Sequence, residues 1–96
     1  ELDTYWVQAG GGEPTAWIRR FAGRMPVLHI KDMKMTAEGP RFAPIGDGNL
    51  NWNGILRAAE EVGTEFLMVE QDQCYGVDPF DCLARSYTFL KTQGYP

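Results

Sequence analysis

Several features that mark particular protein classes are scarce in this 96-residue sequence. Its two cysteines, Cys74 and Cys82, form no CxxC pair, which indicates free, mostly buried thiols in a cytoplasmic protein. The chain has nine Lys and Arg residues and thirteen Asp and Glu residues, which gives a net charge of −4. Nucleic acid is therefore disfavoured as a partner, because binding duplex phosphates usually needs a basic face. A membrane span is not expected either, since no apolar run approaches about 20 residues.

Three stretches share one design, in which a few apolar or aromatic residues run up to a side chain that can bind a metal. They cover residues 1–6, 27–32 and 66–72, and each leads through a loop into a helix-like segment. This order predicts three β-α units with parallel strands. Because the carboxyl ends of parallel strands form the ligand-binding face of α/β proteins, we expect one rim to collect three side chains. These side chains are Asp3, His29 and Glu70.

The predicted rim has the ligand chemistry of a divalent metal site. Carboxylates and one imidazole suit Mn²⁺, Co²⁺, Zn²⁺ or Mg²⁺ better than a soft thiolate site would. His29 is the only histidine of the chain, and Glu70 follows four apolar residues, where burial without a nearby cation would be costly. The alternatives are an Asp3 that caps a turn, a structural His29, and a salt bridge from Lys or Arg to Glu70.

Capping and turn residues predict the boundaries of the elements. A first helix is expected to begin at Glu13-Pro14, because proline is tolerated in the first helical turn, and Gly23 is expected to end it. The second strand is expected over residues 25–30. A second helix is predicted between Asn51, a plausible N-cap, and Gly63.

The segment from Lys31 to Asp47 is predicted to be a long irregular loop, rich in Gly, Pro and charge, which is a common place for substrate contacts. A third strand over residues 66–69 is followed by a last helix. That helix is expected to begin at Asp78-Pro79 and to end at Gly94-Tyr95-Pro96. Its expected buried stripe consists of Phe80, Leu83, Tyr87 and Leu90.

Four short motifs stand in order along the chain. They are Leu2-Asp3-Thr4, Leu28-His29-Ile30-Lys31-Asp32, the turn from Ile45 to Trp52, and Val69-Glu70. Together they resemble the C-terminal three units of the xylose-isomerase-like TIM-barrel superfamily, over essentially the whole chain. That superfamily includes sugar and sugar phosphate isomerases and epimerases, inosose dehydratases and abasic-site endonucleases.

The resemblance implies an α/β fold of three consecutive β-α units, the C-terminal part of a (β/α)₈ TIM barrel. A closed barrel typically needs about 250 residues. Residues 1–96 are therefore expected to form a single partial domain whose N-terminal strands are missing. The abasic-site endonucleases need further Asp and His ligands in the loop before the Gly-rich turn, where this chain has Pro40-Arg41-Phe42. A cluster of several zinc ions is therefore not expected.

The resemblance also implies roles for individual residues. In the sugar-isomerising members, one divalent metal is held by Glu, Asp, His and Glu at four strand ends. Asp3, His29 and Glu70 would be three of these ligands, and the fourth would lie outside this chain. Glu70 would also be the catalytic acid/base that moves a proton on and off a carbon next to a carbonyl. The other site residues expected are Trp6, Lys31 and Arg41 for substrate binding, and Asp32 for fixing the His29 tautomer.

The leading hypothesis is a metal-dependent isomerase or epimerase of a sugar or sugar phosphate, as part of a longer protein, with the isolated chain inactive. A metal-dependent lyase or dehydratase acting on inososes or 3-keto-glycosides would use the same metal and base. A third possibility is a non-catalytic barrel fragment or subunit. The expected partners are a small-molecule sugar and either further copies of the chain or the missing half of the barrel, because half a barrel exposes sheet edges and apolar surface.

Overall fold

A computed structural model describes residues 1–95 of the chain. The elements, in order, are β1 (Leu2–Asp3), α1 (Thr4–Ala9), α2 (Pro14–Arg20), β2 (Val27–Ile30), β3 (Asp32–Thr36), β4 (Gly39–Ala43), α3 (Trp52–Glu61), β5 (Phe66–Val69) and α4 (Pro79–Thr92). Pro96, which was expected to help end the last helix, lies outside the described residues. Within residues 1–95, no helix has the length and apolar character needed to cross a membrane.

The strands form two sheets. One sheet has the order β1-β2-β5, and β1 runs parallel to β2 with Leu2 opposite Leu28 and Asp3 opposite His29. The other is an antiparallel pair of β3 and β4. The predicted α/β class with a parallel sheet is confirmed.

The helices begin where the capping residues predicted. Glu13 caps α2, Asn51 caps α3 and Asp78 caps α4, each with a side-chain oxygen that accepts a backbone N–H of the first turn. Proline occupies the first turn of α2 and α4, where its missing N–H costs nothing. The end of α2 comes earlier than expected, at Arg20 rather than at Gly23.

The first predicted strand is much shorter than expected. Residues 1–6 were expected to be extended, but β1 ends at Asp3 and α1 follows directly. The reason is local, because the Asp3 carboxylate accepts the backbone N–H of Trp6 at 3.1 Å and so caps a helix. Asp3 therefore remains at a strand end, while Trp6 lies on a helix that was not predicted.

Contacts divide the described chain into two compact units, of which the first comprises Glu1–Ile30 and Asn51–Met68. Helices α2 and α3 pack against each other in this unit. Its fully buried apolar side chains include Ile18 of α2, Leu28 and Ile30 of β2, and Ile55 and Ala58 of α3. Burying such side chains is the main favourable term in folding this unit.

The second unit comprises, among the described residues, positions 31–50 and 69–95. It contains a hairpin where an irregular loop was predicted, so the prediction for the first part of Lys31–Asp47 is wrong. β3 and β4 pair in register from Asp32 opposite Ala43 to Thr36 opposite Gly39. Gly39 has a φ of +109°, in the region that favours glycine.

Helix α4 buries a different face from the predicted one. Leu90 is buried as expected, but Phe80 is 79% exposed, and Leu83 and Tyr87 are also exposed. The buried side chains of α4 are Cys82, Ser86 and Leu90. The Ser86 hydroxyl accepts the backbone N–H of Ile45 at 2.8 Å, which ties the helix to the turn after β4.

Candidate metal centre

The end of the three-stranded sheet carries the three side chains that were predicted to bind a metal. Asp3 is the last residue of β1, His29 is next to last in β2, and Glu70 directly follows β5. Asp3 and His29 are register partners across the parallel pair. β5, which Glu70 follows, belongs to the same sheet as β1 and β2.

The three side chains offer the ligand chemistry of a divalent metal ion. The His29 and Glu70 side chains are 37% and 46% exposed, so an ion can reach them from solvent. The donor set fits a divalent ion that prefers oxygen and imidazole ligands.

His29 has a carboxylate beside it. Its Nε2 lies 2.8 Å from Glu1 Oε2, and the Glu1 side chain is about half exposed. The Asp3 carboxylate is engaged as the cap of α1 through its Oδ1 atom. Both contacts favour defined orientations of the side chains that carry the candidate ligand atoms.

Lys31 lies beside Glu70. Its Nζ atom is 3.0 Å from Glu70 Oε2 and 3.1 Å from both carboxylate oxygens of Asp72, and its side chain is 2% exposed. The ammonium also lies 5.5 Å from the centre of the Phe42 ring. A buried ammonium therefore faces two carboxylates that are partly open to solvent. The salt bridge considered as an alternative for Glu70 does form, and binding of substrate by Lys31 stays a prediction.

Asp32 has a role that the sequence did not reveal. Its carboxylate is fully buried and accepts four backbone N–H groups, two on each oxygen. The donors are Met33 at 2.8 Å, Gly48 at 2.9 Å, Gly46 at 3.0 Å and Leu50 at 3.3 Å. Asp32 thus holds the turn that leads towards α3. Its expected part in fixing the His29 tautomer stays a prediction.

The other two expected substrate contacts lie on different elements. Trp6 is 55% exposed on α1, and its ring meets the Tyr5 ring edge to face at 4.8 Å. Arg41, on β4, has its guanidinium 4.7 Å from the centre of the Tyr75 ring. Sequence reasoning missed the contacts that Tyr75 and Asp72 make. The position of Asp72, two residues after Glu70, was the available signal.

Comparisons with known proteins give a structural likeness. No protein-family model matches the chain, and no curated protein matches it. A solved sugar phosphate isomerase/epimerase from Parabacteroides distasonis is 28% identical, with a TM-score of 0.76 over 95% of this chain and 29% of its own. A second such structure from the same organism is 25% identical, with a TM-score of 0.75 over 95% of this chain and 30% of its own. The chain therefore spans about 30% of the length of these structures.

Proposed function

We propose that this chain supplies a divalent metal site to a sugar phosphate isomerase or epimerase. The premise is that the chain has the structure of part of a xylose-isomerase-like TIM barrel, similar to sugar phosphate isomerase/epimerases. The reaction would be isomerisation or epimerisation of a sugar or sugar phosphate by proton transfer next to a carbonyl. The observation that carries the proposal is the placement of Asp3, His29 and Glu70 at the ends of β1, β2 and β5, which form one sheet.

In this proposal Asp3, His29 and Glu70 hold one ion of Mn²⁺, Co²⁺, Zn²⁺ or Mg²⁺, together with a ligand from outside this chain. When bound, the ion would polarise the carbonyl and hydroxyl oxygens of the sugar. Glu70 would take the proton from the carbon next to the carbonyl and return it to a carbon of the same sugar. No atom leaves the substrate, so the mass of the sugar is conserved.

Lys31 supports this role of Glu70. With its ammonium 3.0 Å from Glu70 Oε2, it restricts the directions in which the carboxylate can point. A fixed carboxylate is needed, because proton transfer requires the base to lie within hydrogen-bond reach of the proton. Both carboxylate oxygens of Asp72 accept hydrogen bonds from the same ammonium, which limits the movement of Lys31.

The first test is calorimetric titration of the metal-stripped chain with Mn²⁺ and Zn²⁺. We expect saturable binding of about one ion per chain, because Asp3, His29 and Glu70 lie at the ends of three strands of one sheet. His29→Ala and Glu70→Gln should abolish that binding. Glu65→Gln is the matched control, since Glu65 is an exposed carboxylate that precedes β5 instead of following it. Binding that survives both ligand substitutions would refute the metal site.

The second test addresses the chemistry. The longer enzyme that contains this chain should isomerise or epimerise a sugar or sugar phosphate only with metal present, and Glu70→Gln should lose activity by orders of magnitude. Retained activity in Glu70→Gln would remove the proposed base. Product mass separates this reaction from that of a lyase, because elimination releases a leaving group and isomerisation does not.

A second candidate is a non-catalytic piece that assembles with further barrel units. The chain spans about 30% of the length of its structural neighbours, and β5 exposes two large apolar side chains, Phe66 at 59% and Met68 at 49%. Exposed apolar surface of this kind favours association. Analytical ultracentrifugation should then show oligomers of the isolated chain, whereas a compact monomer at all concentrations would count against this candidate.

A further inference from the structure

A cavity of about 420 Å³ lies within the second unit, lined by the β3–β4 hairpin, the segment after Glu70, and α4. Small-molecule sites commonly have volumes of about 300 to 1,000 Å³. Gln71, the residue after the proposed base, lines this cavity. The cavity therefore begins one residue along the chain from the proposed reaction site, and the ligand inferred for it rests on that proposed function.

The lining of the cavity is positively charged. Lys34 and Arg41 both line it, and they are directly opposite each other in the hairpin register. Like charges in directly opposite positions of an antiparallel pair repel each other. Arg85 also lines the cavity, but Asp47 lies 2.5 Å from its guanidinium and offsets that charge. Among the lining residues the positive charges of Lys34 and Arg41 have no carboxylate to offset them, and an anion would remove their repulsion.

Arg41 is held in place at the cavity by Tyr75. Its guanidinium lies 4.7 Å from the centre of the Tyr75 ring, and the Tyr75 hydroxyl accepts the backbone N–H of Phe42 at 3.0 Å. Tyr75 has a φ of +50°, which is unusual for a bulky residue. Backbone strain of this kind occurs preferentially at ligand sites. Stacking leaves the edge of a guanidinium open for paired hydrogen bonds to an anion.

We propose that this cavity binds the phosphate group of a phosphorylated sugar, with Lys34 and Arg41 as its ligands. A phosphate dianion matches the two uncompensated charges, whereas a carboxylate would match one. The planar guanidinium of Arg41 would make paired hydrogen bonds to phosphate oxygens, and the Lys34 ammonium would act as a second charge. The phosphate would then anchor the sugar, so that its carbonyl end reaches towards Glu70.

The test is titration of the metal-stripped 96-residue chain with inorganic phosphate, followed by NMR and calorimetry. Stripping the metal ensures that phosphate does not bind through an ion. Lys34→Gln and Arg41→Gln should each weaken phosphate binding about tenfold or more, as expected for loss of a charge-assisted hydrogen bond. Arg20→Gln is the matched control, because Arg20 also lies over an aromatic ring, that of Trp17, but does not line the cavity. It should leave phosphate binding unchanged.

Competition experiments identify the ligand class. A sugar phosphate should displace inorganic phosphate, and the same sugar without its phosphate should not. A sugar acid that binds as tightly as the sugar phosphate would overturn the assignment to phosphate. The whole proposal would be overturned if phosphate did not bind saturably to the parent chain. It would also be overturned if phosphate bound Lys34→Gln and Arg41→Gln as tightly as the parent chain. Circular dichroism confirms that the variants fold, which both exposed positions should permit.

The same variants separate this proposal from the metal site. Lys34→Gln and Arg41→Gln should bind Mn²⁺ as the parent does, because neither is a candidate metal ligand. Phosphate binding without metal binding would support the anion site and refute the metal-dependent function. Metal binding without phosphate binding would refute the anion site alone.

Discussion

Replacing Asp32 with asparagine should strongly destabilise the chain. The Asp32 carboxylate is fully buried and accepts four backbone N–H groups. An asparagine side chain keeps one acceptor oxygen, and its NH₂ group would face two N–H donors. Each buried donor left without an acceptor costs about 1–3 kcal/mol. The free energy of unfolding should therefore fall by about 2–6 kcal/mol, a large share of the roughly 5–15 kcal/mol typical of a domain.

Urea unfolding followed by circular dichroism would measure this loss, and hydrogen exchange would locate it. The amides of Gly46 and Gly48 should exchange faster in Asp32→Asn, because both donate to Asp32 Oδ2. Asp47→Asn is the control in the same turn, since its carboxylate makes a surface ion pair with Arg85 that is worth about 1 kcal/mol or less. A loss below about 1 kcal/mol in Asp32→Asn, or unchanged exchange of both glycine amides, would refute this account of the turn.

Three further predictions concern single residues. A methyl group at Gly48 would overlap the Met33 carbonyl oxygen, so Gly48→Ala should lower the Tm. Gly63→Ala is the comparison, because a methyl group there meets no atom within 4 Å and only the positive φ of Gly63 opposes the substitution. The hydrogen bond from Arg19 lowers the pKa of the Glu61 carboxyl below its usual 4.5. The ionised Glu61 carboxylate therefore stabilises the fold above pH 4.5. This stabilisation is lost as the pH falls through the lowered pKa of Glu61. In thermal melts at a series of pH values, the small drop in Tm on the acid side should be absent from Glu61→Gln. A Tm profile that is the same in Glu61→Gln and the parent chain would contradict this prediction. The hydrogen bond with Cys82 raises the pKa of the Cys74 thiol above its usual 9.0, so Cys82→Ala should speed alkylation of Cys74 near neutral pH. An equal alkylation rate in the parent chain would contradict that pKa shift.

The helix starts and the strand ends were predictable because their causes are local. Asn51 and Asp78 cap helices through N–H groups three and two residues away. Glu70 follows four apolar residues that form β5 with the predicted bounds. Such signals do not depend on how the rest of the chain packs, so they are readable in a single sequence.

The hairpin and the buried face of α4 were not predictable in the same way. The run of Gly, Pro and charged residues around β4 is typical of a loop, and Pro40 is compatible with a strand here because β4 pairs only with β3 in the described sheet. For α4, the apolar stripe that includes Phe80 and Tyr87 was expected to be buried, but the buried face carries Cys82 and Ser86. The Ser86 hydroxyl can be buried without a large cost because it accepts the backbone N–H of Ile45, 41 positions away.

The sequence by itself determined the alternation of strands and helices, the caps, and the placement of Asp3, His29 and Glu70 at strand ends, since each depends on residues a few positions apart. Only the tertiary structure decided that Asp32 holds a turn 14 to 18 positions away and that Lys31 lies against Asp72. It also decided that Arg41 stacks on Tyr75 beside a cavity. The physical reason is that a charged side chain takes its role from the partners that folding brings to it, and those partners are distant in the chain.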